Sequence, residues 1–109
     1  MMRKSQTNDN KVLDSKECKR SAYTYMVECA DGTLYTGWTY DLKKRIESHN
    51  SGQGSKYTRS RLPVKLVYYE LNEDKIMAMK REYAIKQLRR IDKMKLIERY
   101  NNMINVSEI

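Results

Sequence analysis

A chain of 109 residues is long enough for one domain with a single modest core, which excludes a second core and argues against a deep enclosed pocket. Twenty-two Lys and Arg against fourteen Asp and Glu leave a charge of +8, which favours a polyanionic partner over an acidic one. A merely soluble basic protein is the plain alternative, and the location of the charge decides between them.

Met1 to about Arg20 is polar and charged, with only Val12 and Leu13 as larger apolar residues after the start, so residues 1–20 are expected to form a tail that cannot repay its own ordering. No apolar run marks a signal peptide or a membrane span, and a cytoplasmic protein without a membrane partner is expected. Cys18 and Cys29 stand eleven apart with no second pair for a zinc site; they are expected to be free thiols in a reducing compartment.

From Tyr23 to Thr39, two runs rich in aromatic and β-branched residues flank Ala30-Asp31-Gly32, which predicts a β-hairpin with glycine where a positive φ is needed. A loop of that length pairs Cys29 with Thr33, Val27 with Tyr35 and Tyr25 with Gly37. Tyr25 and Tyr35 then share one face as diagonal neighbours, roughly 7 to 8 Å apart. Gly37, opposite Tyr25, leaves an open spot where a ligand can approach the phenol. A helix follows, with Asp41 as N-cap, Leu42 and Ile46 as its apolar stripe, and Arg45 and His49 four apart on a neighbouring face.

Residues 51–61 contain glycine and serine that break this helix and present Lys56, Thr58, Arg59 and Arg61 as donors suited to phosphate oxygens, against the bland reading of a solvated charge run. Tyr57 is expected to pack. Pro63 opens a strand over residues 64–71, apolar on both faces as in a sheet interior. Asn72 is the expected cap of the next helix, with Ile76, Met79, Tyr83 and Leu88 as the stripe that covers the sheet. A last helix from about Asp92 to Tyr100 packs Met94, Ile97 and Tyr100. The expected architecture is α/β (α+β): a small three-stranded, mainly antiparallel sheet flanked by helices in the order β-β-α-β-α-α.

Tyr23-Thr24-Tyr25, then Tyr35-Thr36-Gly37 ten residues on from Tyr25, an arginine eight beyond the glycine and a histidine four beyond that, resemble the GIY-YIG nuclease superfamily. The likeness is strongest to its small stand-alone bacterial branch, through Cys29-Ala30-Asp31-Gly32-Thr33-Leu34-Tyr35-Thr36-Gly37 and Gly54-Ser55-Lys56-Tyr57-Thr58-Arg59. It implies a domain over residues 21–102 with a short tail at 103–109, and endonuclease activity on DNA, with RNA as the other option, at single-stranded or irregular structures. It departs from the family pattern at Tyr23-Thr24 and Thr36, which are strand positions, and offers no late asparagine that aligns.

The resemblance implies Tyr25 as general base with Tyr35 as its partner, and Glu82 as ligand of one Mg²⁺ or Mn²⁺. On spacing alone a Glu82–Lys86 ion pair is the default. A phenol with an ordinary pKa near 10 can act as base only if neighbouring cations, Arg45 or Lys56, lower that value. Arg45 suits a pentavalent phosphoryl group through its planar fork, while His49 can reach the same phosphate or a tyrosine; a helix-surface histidine is the plain alternative. A non-catalytic nucleic-acid-binding module of the same fold is the second functional reading. A protein-docking role finds no marked apolar stripe in the sequence.

Overall fold

The computed structural model describes residues 20–108, with side-chain surroundings through residue 102. The expected N-terminal tail, apart from Arg20, and Cys18 lie outside these residues. Strands β1 (Ala22–Glu28) and β2 (Leu34–Thr39) are followed by helix α1 (Leu42–Ser48), a π-helical turn (His49–Gln53) and a one-turn helix α2 (Lys56–Arg59). Strand β3 (Lys65–Asn72) and helices α3 (Lys75–Lys86) and α4 (Arg90–Glu108) complete the chain.

The hairpin register is the expected one: Tyr25 faces Gly37 and Val27 faces Tyr35. Its turn is fixed by Gly32 at φ +84, which a β-carbon would strain, and by Asp31 Oδ1, which accepts from the Thr33 amide (3.1 Å) and hydroxyl (2.6 Å). The sheet is antiparallel with order β2-β1-β3. Thus β1 is the interior strand and β3 an edge, contrary to the expectation for residues 64–71. Leu71 and Tyr69 on that edge are exposed, so apolar residues on both faces did not signify burial on both faces.

Against the expectation of a single core, two lie on opposite faces of the sheet, because side-chain alternation along β1 sends buried residues to both. One gathers Tyr25, Val27, Cys29 and Val64 under Leu42 and Ile46 of α1. The other gathers Met26, Ile85 and Ile97, with Leu34, Val67, Tyr68 and Leu96 around them. Each fully buried large aliphatic contributes ~1.5–3 kcal/mol relative to exposure.

Helix α3 corrects two expectations. Its cap is Asp74, whose Oδ1 accepts from the Met77 amide (3.0 Å), while Asn72 donates to Thr24 Oγ1 (3.0 Å). Its buried residues are Ala78 and Ile85; Ile76, Met79, Tyr83 and Leu88 are all exposed, Tyr83 by 69%. The small Ala78 lets the helix sit close enough for its carbonyl to accept from Thr24 Oγ1 (2.8 Å), and a longer side chain there would hold the helix off. The sequence pattern therefore selected the outward face, and α3 does carry the exposed apolar stripe that the sequence reading did not find. On the inner flank Arg81 grips Glu70 of β3 with two bonds (2.7 and 3.1 Å). Helix α4 is longer than Asp92–Tyr100 and buries Ile97, but Met94 faces outward and Tyr100 meets Tyr68 and Tyr69 edge-on.

Candidate active site

The hairpin and α1 bring Tyr25, Arg45 and His49 together. Asp41 caps α1 as expected, its Oδ1 accepting from the Lys44 amide (3.1 Å), and the i to i+4 spacing turns Arg45 and His49 toward the same strand. Tyr25 Oη lies 2.8 Å from His49 Nε2 and accepts from Arg45 Nε at 3.3 Å. The Tyr35 ring stands edge-on to the imidazole, 5.5 Å between centroids, so both phenols sit on one side of the sheet.

Hydrogen-bond accounting assigns the histidine tautomer. Thr58 Oγ1 lies 3.1 Å from both the Ser55 carbonyl and Ser55 Oγ and 2.9 Å from His49 Nδ1; with its single proton on the carbonyl it accepts from His49 Nδ1–H. Nε2 is left to accept from the Tyr25 hydroxyl. Every donation then runs one way, from Arg45 through Tyr25, His49 and Thr58 to the Ser55 carbonyl, and such chains polarise each bond in the same sense. Three of the five members, Tyr25, His49 and Thr58, are wholly buried.

Burial decides the electrostatics. It raises the Tyr25 pKa, and the opposing bond and charge of Arg45 do not reverse this; the charges of Tyr35 and Glu82 add to the rise. The expectation that cations lower this phenol is therefore corrected. Burial, reinforced by Arg45, lowers His49 to about 4, so the ring is neutral at pH 7. For Arg45, burial works against the charge, but Tyr25 and Tyr35 outweigh it and the net pKa is raised.

Four further expectations change. Gly37 opens no spot for a ligand: an added β-carbon would fall 2.7 Å from Tyr25 Oη, so the space is filled by the phenol itself. Thr58 and His49 are both wholly buried in the hydrogen-bond chain, which leaves neither side chain any surface to offer a phosphate. Arg61 pairs with Asp31 (3.1 Å), donates to the Tyr57 carbonyl (2.8 Å) and lies 3.9 Å over the Tyr57 ring. Since Tyr57 in turn stacks on Tyr35 (5.9 Å), Arg61 fastens α2 to the hairpin turn, and Tyr57 packs as expected. Lys56 and Arg59 remain exposed on α2, free for the role the sequence suggests.

Glu82, on the flank of α3 nearer the site, is mostly covered, and its ion pair with Lys86 forms at 3.2 Å. Its charge is nonetheless felt at Tyr25. Among the described residues no three His, Cys, Asp or Glu side chains converge as a metal cage. A single carboxylate still fits Mg²⁺, which keeps several waters and draws its other ligands from a substrate phosphate, and Lys86 is exposed enough to give way.

Sequence reasoning overlooked Arg20, Tyr40 and Lys44, which line a groove with Arg45. The Arg20 guanidinium and the Tyr40 ring meet at 4.2 Å, a tertiary contact that the polar composition of residues 1–20 does not reveal. No helix among the described residues is long and apolar enough to cross a membrane.

The chain is 52% identical over 91 residues to a UPF0213 protein of Clostridium perfringens, covering 77% of this chain and 98% of that one. A UPF0213 protein of Streptococcus agalactiae is 51% identical over 84 residues, with 77% and 96% covered. The solution NMR structure of an E. faecalis protein matches at 38% identity with a TM-score of 0.52, covering 76% of this chain and 88% of that one. Residues 21–96 match the model of the GIY-YIG catalytic domain, and the chain belongs to that family.

Proposed function

We propose that this protein is a metal-dependent endonuclease that hydrolyses phosphodiester bonds in DNA. The observation that carries the reading is Arg45 Nε fixed on the Tyr25 hydroxyl beside Tyr35, which holds one guanidinium between two phenols at the protein surface. Such a fork favours the pentavalent phosphoryl group over the ground-state diester. The phenols exchange the roles expected from sequence. Tyr35 is the part-exposed one and meets the attacking water; Tyr25, with no exposed surface, positions Arg45. His49 holds Tyr25 in turn. Glu82 would hold the divalent cation, which when bound offsets negative charge on the phosphate and leaving oxygen.

Labelled single-stranded and branched DNA incubated with the purified protein and Mg²⁺ or Mn²⁺ tests this. Cleavage by the wild type that is lost in both Arg45→Ala and Glu82→Ala supports it, whereas cleavage that survives both defeats it. A non-catalytic nucleic-acid-binding module is favoured by one observation, the hold of Lys86 on Glu82. On that reading Glu82→Ala binds DNA as the wild type does and no metal elicits cutting.

A further inference from the structure

Beyond Arg45, on the side away from Tyr25, the surface opens into a groove of about 490 Å³ between the end of β2 and the outer face of α1. Its walls carry three cations, Arg20, Lys44 and Arg45, together with the Ser48 hydroxyl and the Tyr40 ring. Among the described residues none of the three is ion-paired to a carboxylate. Asp41 is the one acid on the rim, and one of its oxygens is engaged by the Lys44 amide (3.1 Å). Arg20 does not swing freely, because its guanidinium rests 4.2 Å from the centroid of Tyr40, whose ring is itself braced edge-on by Trp38 at 5.3 Å. A pre-positioned guanidinium loses less entropy on binding an oxyanion than a free one does.

Arg45 belongs to both halves of this surface. Its Nε is committed to Tyr25, while its side chain also forms a wall of the groove. An oxyanion seated between Arg20 and Lys44 is therefore adjacent to whatever Arg45 clamps. A chain with phosphates at regular spacing satisfies that adjacency, since each unit along it carries another singly charged oxyanion. We propose that the Arg20–Tyr40–Lys44 groove is a second phosphate subsite, which takes the backbone phosphodiester neighbouring the one held by Arg45. The identity of the polymer rests on the nuclease reading above; the subsite itself requires only an oxyanion of that spacing.

The test uses an eight-residue oligothymidylate in EDTA, so that binding is read without cleavage. Quenching of Trp38, the single tryptophan of the chain, reports occupancy, and anisotropy of an end-labelled oligonucleotide checks it. Lys44→Ala and Arg20→Ala are each expected to weaken binding about three- to tenfold at low salt and to flatten the log K against log salt slope by roughly 0.7. Arg20→Lys keeps the slope while losing part of the affinity, and Lys95→Ala on α4 changes neither. Unaltered slopes in both alanine variants overturn the subsite, as does equal competition by an oligoglutamate of matched charge. If the wild type cuts no DNA with any metal, the nuclease reading fails while the slopes still decide the subsite. If instead cutting is intact and the slopes are unmoved, the subsite alone is wrong.

Discussion

The two faces of the sheet solve the same packing problem with different materials. Under α1 an apolar cluster of Val27, Cys29 and Val64 is threaded by polar groups, a buried phenol, imidazole and hydroxyl joined to Arg45 and Ser55 by four hydrogen bonds within 3.3 Å. Under α3 and α4 it is apolar, Met26, Ile85 and Ile97 held close by an alanine at the contact. The first arrangement depends on direction and protonation, the second on volume. One face fixes an angle, and the other fills a space.

The largest expected effect breaks the apolar face. Ile85→Ala should lower stability by about 2–5 kcal/mol in urea unfolding, by the same amount at pH 5 and pH 7, because a cavity has no proton to exchange. Acid instead breaks the polar face. His49 titrates near 6.5 when unfolded and at about 4 in the fold, so the unfolded chain takes up the proton first. Its contribution is complete above pH 6.5 and is lost as pH falls, amounting to about 2 kcal/mol by pH 5. Urea midpoints measured across that interval should decline for the wild type and stay flatter for His49→Gln.

A smaller effect sharpens the contrast. Thr58→Val preserves shape and removes the acceptor for Nδ1–H, costing ~1–2 kcal/mol, and releases the ring to the other tautomer. Because His49 is the sole histidine of the chain, its two ¹⁵N shifts report this directly. Thr58→Ser should restore the wild-type pattern, and unchanged shifts in Thr58→Val would refute the assignment. The smallest effect belongs to neither core. Tyr83→Ser on the outer side of α3 should alter stability by no more than ~0.5 kcal/mol, which would confirm that this side chain covers nothing.

These differences explain what the sequence could convey. The hairpin register and the meeting of Tyr25, Arg45 and His49 were legible because turn length, strand alternation and helical spacing are rules of backbone geometry. The inner face of α3 was not legible. Periodicity registers large apolar residues, whereas that contact has Ile85 as its one large buried aliphatic and is otherwise made by Ala78 and the bonds of Arg81. The Arg61–Asp31 pair escaped notice because its members are 30 residues apart and only the tertiary fold joins them. Whether a phenol lies under the surface or on it is equally a tertiary fact, which is why spacing alone does not separate the buried Tyr25 from the part-exposed Tyr35.

The π-helical turn at His49–Gln53 carries a further consequence. Its ring and the hydroxyl that orients it are nine residues apart, and the intervening backbone makes one wide turn, reverses at Gly52 with φ +85, and re-enters as α2. That segment works as a ruler. Among relatives, the exposed side chains at positions 51 and 53 should be free to drift, but insertions and deletions between positions 50 and 57 should be absent, because a single residue gained or lost would carry the hydroxyl past the ring it has to meet.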